Sequence, residues 1–212
     1  MKSVLLIATL IFTYSLSAQT SYEKGMNEAF ALWEQQKNIE AVQLFERIAS
    51  AETDNWLPSY YAGLIEIVSS FGLKDEALLT SKLTRAKGFL DTSSSVSENN
   101  PEIMIAYALL NTAYMAFDGA KYGMTLSGEN IAIYQKAQAI APNNPRVLLS
   151  KTEWDMGTAK FFGKSTAPYC EDIEHAIVLF KAEEQTIPYY PYSGLERANE
   201  ISINCKKETS PN

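Results

Sequence analysis

Histidine is almost missing from this chain. There is one, His175, in 212 residues, and only two cysteines accompany it. That scarcity excludes most zinc and iron–sulfur ligand sets, which draw on clusters of these residues. No Cys-x-x-Cys occurs, so a redox-active dithiol is not expected. Basic charge is also short, with 18 Lys and Arg against 25 Asp and Glu and a formal charge of −7. A nucleic-acid partner, which needs a basic face, is disfavoured. No segment shows sustained strand alternation with hairpin turns. Beyond residue 18 no apolar run reaches the roughly 20 residues of a membrane span.

What is present begins with an address. Met1-Lys2-Ser3 is followed by an apolar stretch from Val4 to Leu16 and by small residues at Ser17-Ala18. A short positive start, a short apolar run and a small-residue cut site read as a secretory signal. Residues 1–18 are therefore expected to be removed after Ala18, with cleavage after Ser17 as the near alternative. No cysteine follows the run to carry a lipid. The mature chain is expected to be exported, periplasmic or secreted, without membrane insertion.

The rest of the chain repeats itself. Asp54-Asn55-Trp56, Asn99-Asn100-Pro101 and Asn143-Asn144-Pro145 recur at spacings of 45 and 44. Each opens an apolar run of helical period, where Asn and Pro serve as cap and first-turn residues. The runs also end alike, at Phe71-Gly72, Phe117-Asp118-Gly119 and Phe162-Gly163. Glycine just past a helix supplies the left-handed residue that closes it. Second helices are expected over 39–50, 74–96, 127–140 and 171–186, and a last one over 193–205. The reading is all-α, with about nine helices in antiparallel pairs.

Small residues recur in the first helices at Ala29, Gly63, Ala108 and Thr152. In the second helices Ala41 with Phe45 matches Ala176 with Phe180 and Pro188, and Tyr134, Ala137 and Pro142 follow the same pattern. In the second pair Ala86, Leu90 and Ser93 take these places. This signature resembles the tetratricopeptide repeat (TPR), although the period exceeds its usual 34 residues. The chain is similar to small exported bacterial TPR-like proteins. The resemblance implies a helical-hairpin array, an α-solenoid, over 19–205, with 206–212 as a disordered tail. It also implies a scaffold or binding role, since stacked helix pairs present extended surfaces to peptides and partner helices.

Cys170 and Cys205 stand at the two ends of the last predicted hairpin, with 18 and 17 residues back to and on from Pro188. Antiparallel folding brings them together, and an exported chain meets an oxidising compartment, so a structural disulfide is expected.

Motifs for chemistry are weak. Gly163-Lys164-Ser165 resembles the end of a phosphate-binding loop, but Thr158 stands where the first glycine belongs and a helix precedes it. Glu171, Asp172 and Glu174 fit a first helical turn, where acids complement the dipole, better than a metal or acid–base site. No cofactor, metal or enzymatic activity is expected. By the repeat register, the groove-facing candidates are Tyr60, Leu64, Ile105, Leu109, Leu149 and Glu153. That set lacks the Lys, Arg and Asn with which TPR proteins clamp a carboxylate. A second candidate surface is the edge carrying the long connectors 119–128 and 163–170, with Lys121, Tyr122, Met124, Lys164 and Tyr169. Aromatic and basic residues there suit an anionic or carbohydrate ligand. Tyr60, Tyr61, Tyr107, Tyr114, Trp154, Phe161 and Phe162 lie on first helices, and at helical spacing most of them are expected in the core. The leading expectation is a non-enzymatic exported scaffold for a protein or peptide. The alternative is a binding module for a small ligand, such as an oligosaccharide or peptide fragment.

Overall fold

The computed structural model describes the backbone of residues 21–209 and side chains to residue 206. The expected signal at 1–18 and the last three residues lie outside the described residues. Those described residues form nine α-helices, one short 3-10 turn and no strand. The helices are α1 (21–34), α2 (Asn38–Ala51), α3 (Leu57–Val68), α4 (Glu76–Val96), α5 (Pro101–Phe117), α6 (Gly119–Ile140), α7 (Pro145–Phe161), α8 (Cys170–Ala182) and α9 (Leu195–Thr209). None is long and apolar enough to cross a membrane.

The repeated start signals act as caps. The Asn100 side-chain oxygen accepts the Glu102 amide at 2.9 Å, and that of Asn144 accepts the Arg146 and Val147 amides at 2.8 and 3.1 Å. Pro101 and Pro145 then occupy the first turn, where no amide is needed. Two of the three glycine stops also hold. Gly72 and Gly163 have φ of 82° and 65°. At Gly163 both backbone bonds of a Schellman closure form, from its own amide to Lys160 and from Lys164 to Ala159.

Gly119 departs from the expectation. It opens α6 instead of closing α5, because the Asp118 carboxylate caps the following turn by accepting the Lys121 amide at 3.0 Å. The stretch 119–128, read as a connector, is thus the first part of a 22-residue helix. In contrast, α8 ends at Ala182, four residues before the expected 186, where Glu183 turns extended. α9 runs to Thr209, past the boundary drawn at 205.

The chain divides into two compact units, 1–97 and 98–212. In the first, α2 packs on α3 and α3 on α4. Phe30, Phe45 and Tyr61 form its aromatic centre, with ring centroids 4.7 to 5.6 Å apart. Gly63 lets α3 approach α4 closely: a Cβ there would stand 3.2 Å from the Ala86 carbonyl oxygen and from Leu90, tighter than ordinary contact. In the second unit α5 pairs with α6, α7 with α8 and α8 with α9, while α7 also packs on α5 and α6. The repeated small and aromatic positions Ala29, Ala41, Phe45, Ala86, Leu90, Ala108, Tyr134, Ala137, Ala176 and Phe180 are all buried. Cys170 and Cys205 are disulfide-bonded, with Cα atoms 5.8 Å apart, at the foot of the α8–α9 hairpin.

Candidate functional site

The expected groove residues do not share one environment. Tyr60, Ile105 and Leu149 are buried in the cores of their own units. Leu64, Leu109 and Glu153 are half-buried. Glu153 accepts a hydrogen bond from Arg197 at 2.8 Å, which ties α7 to α9.

The connector edge is more distinctive. α6 and α7 pack together and are joined by the four-residue turn 141–144, so they run antiparallel. The start of α6 and the end of α7 are therefore both directed away from that turn. Met124 is 94% exposed, Phe161 78% and Phe162 66%. The two Phe rings stand perpendicular with centroids 5.1 Å apart. They depart from the expectation that most first-helix aromatics lie in the core, and they stand at the end of α7, just before the glycine closure. Nearby, the Tyr114 and Tyr122 rings are 5.0 Å apart and the Lys121 ammonium sits 5.1 Å from the Tyr122 centroid. Large side chains exposed side by side are uncommon on soluble proteins and mark contact surfaces.

The stretches 119–128 and 156–170 contain Lys121, Lys160 and Lys164, and they are bordered directly by the acidic residues Asp118, Glu129, Asp155 and Glu171. All three lysines are exposed. The Gly163-Lys164-Ser165 segment is a helix closure and turn: the Ser165 hydroxyl accepts the Ala167 amide at 3.1 Å.

A second constellation escaped the sequence reading. Glu102 is fully buried in the first turn of α5, and Arg146 is nearly so in the first turn of α7. One Glu102 oxygen accepts from the Asn144 amide at 2.7 Å, Arg146 at 2.8 Å and the Tyr190 hydroxyl at 3.3 Å. Its other oxygen has no hydrogen-bond partner. The remaining arms of Arg146 grip Glu183 at 2.6 and 2.5 Å, and the Tyr190 and Tyr192 rings lie 5.5 and 5.8 Å from its guanidinium. Burial pushes the Glu102 carboxyl above its usual range despite the facing Arg146. Burial and then the Glu102 charge push the Tyr190 hydroxyl up to about 12. For Arg146 burial opposes the charge, yet the bonds to Glu183 and the charge of Glu102 outweigh it and raise its pKa. The cluster fastens the non-helical segment after Ala182 onto the starts of α5 and α7. Its polar groups bind one another, apart from the second Glu102 oxygen.

A sequence signal for it existed. Glu102 and Arg146 each follow the Asn-Pro start of their repeat, 44 residues apart. Opposite charges at equivalent positions of neighbouring repeats announce an ion pair. On α8, His175, Glu171 and Asp172 are exposed, and Glu174 accepts from the Ser202 hydroxyl at 2.6 Å, which lowers its pKa. Among the described residues no three His, Cys, Asp or Glu gather as a metal-binding group.

No protein-family model matches the sequence, and no curated protein matches it. Among solved structures, the HusA haemophore from Porphyromonas gingivalis is similar, with a TM-score of 0.77 and 22% identity. The match covers 90% of this chain and 96% of that one, so the two share a fold along nearly their whole lengths.

Proposed function

We propose that this chain is an exported, non-enzymatic binding protein for a flat, largely apolar small ligand of the haem class. The observation that carries the reading is the likeness to a haemophore over nearly the whole chain. The exposed Phe and Met side chains at the edge of the second unit support a ligand with apolar faces. The Cys170–Cys205 disulfide and the expected signal at 1–18 support export. In this reading the working protein is the TPR-like helical-hairpin array of 19–205, built as a solenoid of paired helices. A protein or peptide partner is the second reading. The half-buried Leu64, Leu109 and Glu153 on first helices favour it, since such positions line the partner-binding face of helix-pair arrays.

Titration of the secreted, disulfide-bonded protein with haemin tests the first reading. The expected result is a saturable shift of the haemin absorption band at one-to-one or another fixed stoichiometry, with a raised melting temperature. A spectrum identical to that of haemin with an unrelated acidic protein, and an unchanged melt, would remove it. Capture of a defined envelope protein, abolished by Leu64→Asp or Leu109→Asp, would favour the second.

A further inference from the structure

We infer that the end of α7 is an interfacial anchor: Phe161 and Phe162 enter the headgroup zone of an anionic lipid bilayer, and Lys160 and Lys164 meet its phosphates. The inference goes beyond the haem-class reading and does not depend on it.

Ala159 and Thr166 are buried, and every residue between them is exposed, so 160–165 projects from the fold while both its ends are held. The two Phe rings touch each other and are mostly open to solvent. The Gly163 amide bonds to the Lys160 carbonyl at 3.0 Å, and the Lys164 amide returns to Ala159 at 2.8 Å. Both lysines therefore leave the same closed turn as the rings. Neither lysine side chain has an ion pair or a hydrogen bond among the described residues. The acids on either side do not neutralise them. Asp155 is bonded to Lys151 at 2.6 Å, and Glu171 belongs to the first turn of α8, beyond the 3-10 turn Ala167–Tyr169.

Area and charge together choose the occupant. A stable protein interface takes roughly 800 Å² from each partner. Two aromatic side chains supply about 150–250 Å² each even when wholly covered. Their exposed neighbours Gly157, Thr158, Gly163 and Ser165 are small and uncharged and add no further anchor. The pair is thus too small for a shaped protein partner. A bilayer needs no matching surface: it takes aromatic rings at headgroup level and cations at its phosphates. None of the described helices can cross a membrane, so the contact is peripheral. A chain of net charge −7 has no general attraction to an anionic surface, which leaves binding to a local element such as this one. The closed turn sets the rings before contact, and a pre-set element loses less entropy on binding.

The test is co-sedimentation of the full exported, disulfide-bonded protein with phosphatidylglycerol vesicles and with phosphatidylcholine vesicles. Weak, reversible binding to the anionic vesicles is expected at roughly millimolar lipid, falling as salt is added. Lys160→Gln with Lys164→Gln should weaken it by roughly tenfold to thirtyfold. Phe161→Ser with Phe162→Ser should abolish it, with far-UV circular dichroism and melting temperature retained because the replaced side chains are exposed. Val178→Ser with Ile203→Ser, exposed apolar positions on α8 and α9, should bind as wild type. No binding of the wild-type protein to either vesicle overturns the inference, as does equal binding by the Phe double variant. Equal binding to both vesicles removes the role of the lysines and with it the anionic surface. Release of the protein from the vesicles by saturating haemin would assign the Phe pair to that ligand and sink the anchor. Failure to bind haemin at all, with vesicle binding intact, would strike the haem-class reading and leave the anchor standing.

Discussion

Among the described residues each unit buries one glutamate, and the two treat it differently. In the first, Glu66 meets a separate cation on each oxygen, Lys82 and Arg85, both at 2.8 Å. The cations reach solvent, and Arg85 continues to Glu46 at 3.1 Å, so two acids balance two bases. In the second, Glu102 and Glu183 share the single Arg146, and the Glu102 side chain is wholly inaccessible. Two carboxylates face one cation. The cluster carries a net negative charge, and one Glu102 oxygen is left without a partner. An ion pair open to water contributes little and tolerates damage, whereas a dry pair becomes indispensable once formed. The number of ion pairs is thus a poor guide to what holds each unit; the depth of the shared charge decides.

Removing the cation from each cluster gives the largest expected contrast. Arg146→Ala should destabilise the protein by about 3–5 kcal/mol, because two carboxylates remain and one of them is buried without a countercharge. Arg85→Ala should cost less, about 1 kcal/mol, since Lys82 stays on Glu66 and the Arg85 guanidinium is itself open to solvent. Urea unfolding measures both. Equal losses would mean that burial does not separate the two clusters.

The disulfide is a second asymmetry, because it closes only the second unit. Joint replacement of Cys170 and Cys205 by Ser should lower stability by about 4 kcal/mol, the chain-entropy worth of such a loop. Hydrogen exchange should quicken in α8 and α9, while amides of α3 and α4 keep their protection. Loss of protection spread evenly along the chain would argue that the bond holds more than its own hairpin.

Acid titration sharpens the difference between the carboxylates. Burial raises the Glu102 pKa above its ordinary value, so the folded chain holds that proton more tightly than the unfolded chain. Its contribution is then fully present below the unfolded value and is lost as pH rises through the folded one. Wild-type stability, measured as a difference from Glu102→Gln, should rise as pH falls across that window. The difference is needed because Glu174, whose pKa is lowered by the Ser202 hydroxyl, pulls in the opposite direction in both proteins. An inverse slope would show that Arg146 outweighs burial.

These contrasts track what the sequence could announce. The caps Asn100 and Asn144, the buried small residues and the disulfide were legible because each follows from local pattern or from chain reversal. The long α6 was not. Three glycines at 119, 123 and 128 suggest a loop, yet a Cβ at any of them would meet nothing, and the Asp118 cap carries the helix through. The edge residues Lys121, Tyr122, Met124 and Lys164 follow from the sequence, whereas most first-helix aromatics are expected in the core and Phe161 and Phe162 are exposed. Helical period reports which face a residue occupies, and it does not report how much of that face another element covers. The Glu102–Arg146 pair is legible in the repeat register, whereas Glu183 joins it only because the segment after Ala182 folds back, which no local rule encodes.

Where the units use the same device they should respond alike, and the glycine closures supply that control. Gly72 in the first unit and Gly163 in the second both hold left-handed backbone, and a Cβ at either would meet nothing within 4 Å. Packing therefore drops out, and alanine should cost the same at each, about 1–2 kcal/mol of backbone strain. Gly128 lies inside α6, also in open space but with ordinary helical backbone. Alanine there should stabilise by roughly 0.5–1 kcal/mol, because only the unfolded chain loses freedom. Thermal melts of the three single variants are enough. A cost at Gly163 well above that at Gly72 would show that the turn presenting Phe161 and Phe162 carries a constraint that the first unit lacks.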